Sequence, residues 1–154
     1  MGQEIERKFL VVNDAWKETA SATRFRQGFL STAPERTVRI RIAGDRGLLT
    51  IKGITIGARR AEYEYEIPLD DAQSMLDDLC ERPLIEKVRH TLEVGGHTWE
   101  IDVFEGENDG LVVAEIELQA EDEPFERPGW IGAEVTDDPR YFNANLVKAP
   151  FQNW

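Results

Sequence analysis

Polar and apolar residues alternate along most of the chain, the period of an extended strand that buries one face. On that pattern eight strands are predicted, near residues 2–12, 23–31, 36–43, 47–53, 60–67, 85–94, 97–105 and 111–119. Turn chemistry separates them. Gly44-Asp45-Arg46-Gly47 and Gly95-Gly96 each close a hairpin, Asn108-Asp109-Gly110 ends the seventh strand, and Gly53 to Gly57 opens a longer connection before the fifth. Helical spacing surfaces in residues 70–81, where Ala72, Met75, Leu76, Leu79 and Cys80 form one stripe behind an Asp cap, with Pro83 as the stop. A second helix is predicted from about Asp138 to Lys148, with Pro139 in its first turn, and a short turn from Asn13 to Thr19.

The chain has 154 residues, 41% of them hydrophobic and 31% charged, which suits one folded domain over residues 1–154. No repeat or low-complexity tract divides it, and residues 121–128, linker-like in composition, leave too little chain beyond them for another domain. No apolar run approaches the roughly 20 residues of a membrane-spanning helix. The opening Gln3-Glu4-Ile5-Glu6-Arg7-Lys8 is too charged for a signal peptide, and Glu6 stands where a myristoylated Gly2 would need Ser or Thr, so a cytoplasmic location is expected. One cysteine excludes an internal disulfide, and with two histidines it leaves too few soft ligands for a typical zinc site.

Charge changes the picture more. The balance of 18 basic against 30 acidic residues gives a net charge of -12, a surface that repels duplex nucleic acid and anionic membrane. Sorted by strand parity, however, the charges segregate. Glu4, Glu6 and Lys8 share a face of the first strand, Arg39 and Arg41 of the third, Thr50 and Lys52 of the fourth. Arg60, Glu62, Glu64 and Glu66 line one side of the fifth; Lys87 with Arg89, Glu100 with Asp102, and Glu115 with Glu117 follow. An antiparallel sheet with one wet face would show alternation but not such like-charge pairs. Two carboxylates about 4 Å apart repel by roughly 4 kcal/mol at an effective dielectric near 20, so a concave site keeps them ionised only beside cations. Eight strands can close a barrel and remove the exposed edges. With the helices packed outside on the apolar faces, the charged face turns inward. The expected fold is therefore α+β: an eight-stranded antiparallel β-barrel, or tunnel, with a charged interior and a few helices outside.

Such a lining suits a polyphosphate held with a divalent metal: Lys8, Arg39, Arg41, Lys52, Lys87 and Arg89, with Arg60 as a further base, on phosphate oxygens and carboxylates on the metal. Hard oxygen ligands select Mg2+ or Mn2+. Other residues read as structural. His90 and His97 belong to a solvated hairpin edge, Cys80 to a helix core, Trp99 and Trp130 to packing, Arg24 and Arg26 to the outer face, and Glu121-Asp122-Glu123 to a solvated loop; Glu66 sits at a strand end.

The ordered series Glu4-Ile5-Glu6-Arg7-Lys8, Arg39-Ile40-Arg41, Thr50-Ile51-Lys52, Arg60-Ala61-Glu62-Tyr63-Glu64, Glu86-Lys87-Val88-Arg89, Glu100-Ile101-Asp102-Val103-Phe104 and Glu115-Ile116-Glu117 resembles the CYTH superfamily, the triphosphate tunnel metalloenzymes. The closing Trp130 to Thr136 and Arg140-Tyr141-Phe142-Asn143 resemble its short bacterial members, so the likeness runs from about residue 2 to 147. The resemblance implies an eight-stranded barrel binding triphosphate. It implies a principal metal on Glu4, Glu6 and Glu117, with Glu62, Glu64, Asp102 and Glu115 supporting a second metal or orienting the attacking water. Of these, Asp102 and Glu115 are assigned to metal, and Glu62 and Glu64, with Lys8, to catalysis. Lys8, Arg39, Arg41, Lys52, Lys87 and Arg89 would grip phosphate. One departure stands out. Gln27-Gly28-Phe29 replaces a family Gln-Gly-Tyr whose Tyr can pair with the first-strand Lys as an acid/base dyad, and Phe has no proton to exchange.

The expected activity is metal-dependent hydrolysis of a triphosphate, foremost inorganic tripolyphosphate to pyrophosphate and phosphate, with ATP or thiamine triphosphate as other substrates. Cyclisation of ATP to cyclic AMP and a polyphosphate- or nucleotide-binding module without turnover are the alternatives. The protein is expected to act as a monomer or homodimer, without nucleic-acid duplex or membrane.

Overall fold

The computed structural model describes residues 2–154. Its strands are β1 (Gln3–Val11), β2 (Ser21–Ser31), β3 (Arg36–Ala43), β4 (Arg46–Gly53), β5 (Arg59–Ile67), β6 (Ile85–Val94), β7 (His97–Phe104), β8 (Val112–Glu117) and β9 (Ile131–Glu134). Hydrogen bonding runs in the order β5-β4-β3-β2-β6-β7-β8-β1-β9, every pair antiparallel, and β1 also pairs with β5. That last pairing, with Glu4 opposite Arg60, closes eight strands into a barrel. The Glu6 N–H to Ala58 carbonyl and Glu62 N–H to Gly2 carbonyl bonds strengthen the seam.

The ninth strand is an addition to the eight expected. β1 gives its first residues to β5 and its later ones to β9, where Val11 lies opposite Ile131. Four residues are too few to show a period of two, which is why the pattern alone did not reveal β9.

Apolar residues on the outer face are covered in two places. Ile5, Phe9, Trp99, Ile101 and Ile116 are buried beneath Trp16, Phe125 and Trp130, with ring centroids of Trp99 and Trp130 5.3 Å apart. This confirms the packing role of Trp99 and Trp130. Helix α1 (Leu69–Asp78) lies over β3 and β4, burying Ala72 and Leu76 against Ile40. Two glycines mark its seat. A Cβ on Gly47 would fall 2.9 Å from the Ala72 Cβ, and one on Gly28 2.8 Å from the Cys80 Cβ, so only glycine lets this segment approach. Cys80 is buried as expected. The Asp cap is not found: Pro68 occupies the N-cap position without a side-chain bond, and Asp70 and Asp71 fall inside the first turn, where their charges favour the helix N-terminus. The helix also ends at Asp78, which leaves Leu79 exposed beyond it.

The second predicted helix is broken at Phe142, whose extended backbone separates a 3-10 turn (Pro139–Tyr141) from α2 (Asn143–Lys148). This segment does not pack outside. Leu146, Val147 and Ala144 join inward-facing Phe29, Ile85, Phe104 and Val113, so α2 stoppers one end of the barrel with an apolar plug. Above that plug the lumen is polar. Among the described residues no helix is long and apolar enough to cross a membrane.

Candidate functional site

The polar part of the lumen is a cavity of about 260 Å³, near the lower bound of roughly 300 Å³ at which small-molecule pockets begin. Strand alternation places its lining. Glu4, Glu6 and Lys8 come from β1, Glu115 and Glu117 from β8, Glu100 from β7, and Arg60, Glu62 and Glu64 from β5. Facing this acidic arc are Arg39 and Arg41 from β3, Lys52 from β4, and Lys87 and Arg89 from β6. Of the candidate site residues named from the sequence, all line the cavity except Asp102.

Ion pairs form within the acidic arc and across to the cations. Lys8 Nζ lies 2.9 Å from both Glu6 and Glu115, and Lys52 Nζ lies 2.7 Å from Glu4 and 3.5 Å from Glu62. Arg39 approaches Glu64 at 3.5 Å, and the Thr50 hydroxyl donates to the same carboxylate at 2.9 Å. Burial alone would lower the Lys8 pKa, but Glu115 and Glu6 outweigh it and raise it above its ordinary value. Lys8 therefore holds its proton. Glu6 shows the converse: burial pushes it up, yet Lys8 brings it below its usual range, against repulsion from Glu4.

Arg41 differs. No carboxylate lies within ion-pair distance among the described residues; its Nε donates to Gln27 Oε1 at 2.7 Å and its guanidinium covers the Phe25 ring at 4.4 Å. Burial, followed by repulsion from Arg39 and Arg89, pulls its pKa well down. Arg39 adds a buried Nε with no hydrogen-bond partner. Two adjacent, under-compensated guanidinium groups in a closed space suit an anion.

Asp102 departs from the metal-facing position expected of it. Its carboxylate is fully buried, with Arg89 bonded to both oxygens at 2.8 and 2.9 Å and Lys87 at 2.7 Å. Burial raises an acid, but Arg89 and Lys87 overcome it and hold Asp102 at about 2. With both oxygens occupied, Asp102 anchors the cations beneath the lumen. Parity assigned it the correct face but could not tell its depth.

Three lining or supporting groups had no role assigned from the sequence. Gln27, fully buried, and Asn143, at the start of α2, bridge Arg41 to Lys87. Glu100 lines the cavity 3.3 Å from Arg89. Its strand parity was legible; Gln27 and Asn143 stand in segments that carry the family resemblance, but nothing in local pattern shows that they meet beneath the lumen.

The residues read as structural fall outside the cavity. Arg24 pairs with Glu105 and Arg26 with Asp77 on the outer surface, and Glu66 is exposed beside Arg46. The histidines are half-buried rather than fully solvated, His90 with its ring 4.8 Å from that of Trp16 and His97 2.6 Å from Glu123. The 121–123 loop is likewise tied down, Glu121 accepting from the Ala58 N–H and Glu123 from that of Gln119.

A closed antiparallel barrel with opposed arcs of cation and carboxylate inside defines a tunnel-type anion site. The chain belongs to the CYTH domain family, which it matches over residues 2–148. It is 52% identical over 154 residues to an inorganic triphosphatase of Acetivibrio thermocellus, covering all of this chain and 99% of that one. An inorganic triphosphatase of Nitrosomonas europaea is 37% identical over 148 residues, 94% of this chain and 96% of its own. The crystal structure of an inorganic triphosphatase superposes with a TM-score of 0.66 at 34% identity, covering 94% of this chain and 93% of the other.

CYTH triphosphatases depend on a metal, and the lining can be tested for one. Among the described residues no three His, Cys, Asp or Glu side chains are gathered into a ready-made cluster. The donor chemistry nevertheless fits a hard cation. Glu117 has no ion-pair partner among the described residues, and burial, then Glu4, Glu6 and Glu100, raise its pKa. Negative charge has accumulated there beyond what the lysines neutralise.

Proposed function

We propose that this protein hydrolyses inorganic tripolyphosphate to pyrophosphate and phosphate. The observation that carries the reading is the pair Arg39 and Arg41, under-compensated cations opposite the Glu4, Glu6 and Glu117 wall of one small cavity. The family and the names of the relatives agree with it.

Glu4, Glu6 and Glu117 would hold the metal, Mg2+ or Mn2+ by their hard oxygens, with Glu115 close to Lys8 as support. When bound, such an ion neutralises charge on the phosphate oxygens and on the leaving group. Arg39, Arg41, Lys52, Lys87 and Arg89 bind and orient the phosphate chain; Arg supplies forked donors and Lys point charges. Lys8, locked as an ammonium between Glu6 and Glu115, serves as a cation rather than as a base. Phe29 lies in the apolar plug with no exchangeable proton, so water activation falls to Glu62 and Glu64. One of these carboxylates accepts a proton as the water oxygen bonds to a terminal phosphorus. The bridging P–O bond to the middle phosphate breaks, and pyrophosphate departs.

Parallel incubations with Mg2+ or Mn2+ and tripolyphosphate, ATP or thiamine triphosphate, resolved by 31P NMR, test the reading. Pyrophosphate and phosphate from tripolyphosphate, faster than any product from the other two, are expected. Cyclic AMP from ATP would replace the proposal with a cyclase, and binding without product would replace it with a binding module.

A further inference from the structure

The chain of bonds beneath the cavity has only one consistent polarity. Arg41 and Lys87 carry donors alone. The Gln27 atom 2.7 Å from Arg41 Nε is therefore Oε1, and the Asn143 atom 2.9 Å from Lys87 Nζ is Oδ1. Gln27 Nε2 is then left to donate, and it meets the same Asn143 Oδ1 at 2.9 Å. Lys87 completes the chain by donating to Asp102. Two groups along this chain make no hydrogen bond among the described residues: the terminal nitrogens of Arg41, already identified as under-compensated, and the Asn143 NH2. Asn143 itself lines the cavity, and Leu146 and Val147 behind it fix α2 in the plug.

We propose that Asn143 both positions the cations and contacts the anion: Oδ1 anchors Lys87 and, through Gln27, Arg41, while Nδ2 donates to an oxygen of the bound polyphosphate. The inference rests on the tripolyphosphate reading above. An acceptor alone would suffice for the buried network, so a structural role makes no demand on the amide donors. Two uncommitted N–H groups on a wall beside under-compensated guanidinium groups match the acceptor-only oxygens of phosphate.

Asn143→Asp separates the two roles, since it keeps an oxygen for Lys87 and Gln27 and replaces the donor with an acceptor. Its thermal unfolding midpoint should stay near that of the parent, while tripolyphosphate affinity falls on the order of 100-fold and KM rises. Parent-like affinity in Asn143→Asp would overturn the proposal.

A titration of the isotopically labelled parent with tripolyphosphate needs no variant beyond assignment of the Asn143 side-chain amide through its disappearance in Asn143→Asp or Asn143→Ser. Both this amide and Arg41 Nε should shift. Movement of Arg41 with a silent Asn143 amide would refute the inference and leave the substrate reading intact; silence at both would refute the substrate reading and the inference with it.

Discussion

Lys52 Nζ on β4 sits 2.7 Å from Glu4 Oε1 on β1, reaching past the intervening β5 strand. Each is the other's counterion, and both are mostly buried. A metal on Glu4 and a phosphate on Lys52 would replace one buried pair by two, so the cavity exchanges internal ion pairs for ligand contacts without exposing bare charge.

Glu4→Gln should therefore remove turnover with little effect on folding, because the strand pattern and the hydrogen bonds of the β1–β5 seam are unchanged. Metal affinity should fall by at least the roughly 100-fold that loss of an outer-shell partner can cost. Calorimetric titration with Mn2+, paired with phosphate release, checks this. Parent-like activity would remove Glu4 from the metal site.

Asp102→Asn should act on stability as much as on activity. Lys87 and Arg89 would remain buried beside a neutral amide, and breaking such a buried arrangement costs about 3–5 kcal/mol. Urea unfolding measures it. The pH dependence has a definite sign: the folded carboxyl at about 2 lies below its ordinary 3.8, so its stabilisation is complete above the ordinary value and is lost as pH falls through about 2. The gap between parent and variant should narrow in that acid window.

How far the sequence reveals the site can be seen at Asp102 and Glu100. Both lie on the inward face of β7, as alternation requires, and like-charge pairing pointed to a closed barrel. Depth along the barrel is another matter. It depends on where α2 plugs the end, and that depends on side chains far apart in sequence, Leu146 against Phe104 and Ile85. The role of Asn143 and Gln27 was illegible for the same reason, since it comes from a contact across 116 positions. The cap of α1 failed locally: Pro68 fixes the backbone one residue before the helix, and the aspartates are carried into its first turn.

Phe29→Tyr tests whether the missing hydroxyl limits the rate. Lys8 already holds its proton between two carboxylates, so a tyrosine has little to gain as its partner. The change in kcat should remain far below the roughly 100-fold that a working general acid or base contributes. A gain of that order would show that Lys8 is released during turnover and that the dyad matters.

Metal binding should weaken on the acid side earlier than ordinary glutamates would allow. Burial, then Glu4, Glu6 and Glu100, raise Glu117; burial, opposed by Arg89 but aided by Glu115, raises Glu100. A raised carboxyl takes up its proton at higher pH, so Mn2+ affinity should decline as pH falls toward, and before it reaches, the ordinary 4.5. An affinity profile flat down to that value would argue against Glu117 as a ligand.

The most direct measurement is calorimetric titration of tripolyphosphate into the parent and into Arg39→Ala, Arg41→Ala and the double variant. One site per chain is expected, with each single substitution weakening it by about 10- to 100-fold and the double variant leaving no measurable binding. Undiminished affinity in the double variant would place the anion outside the barrel and contradict the lumen as the site.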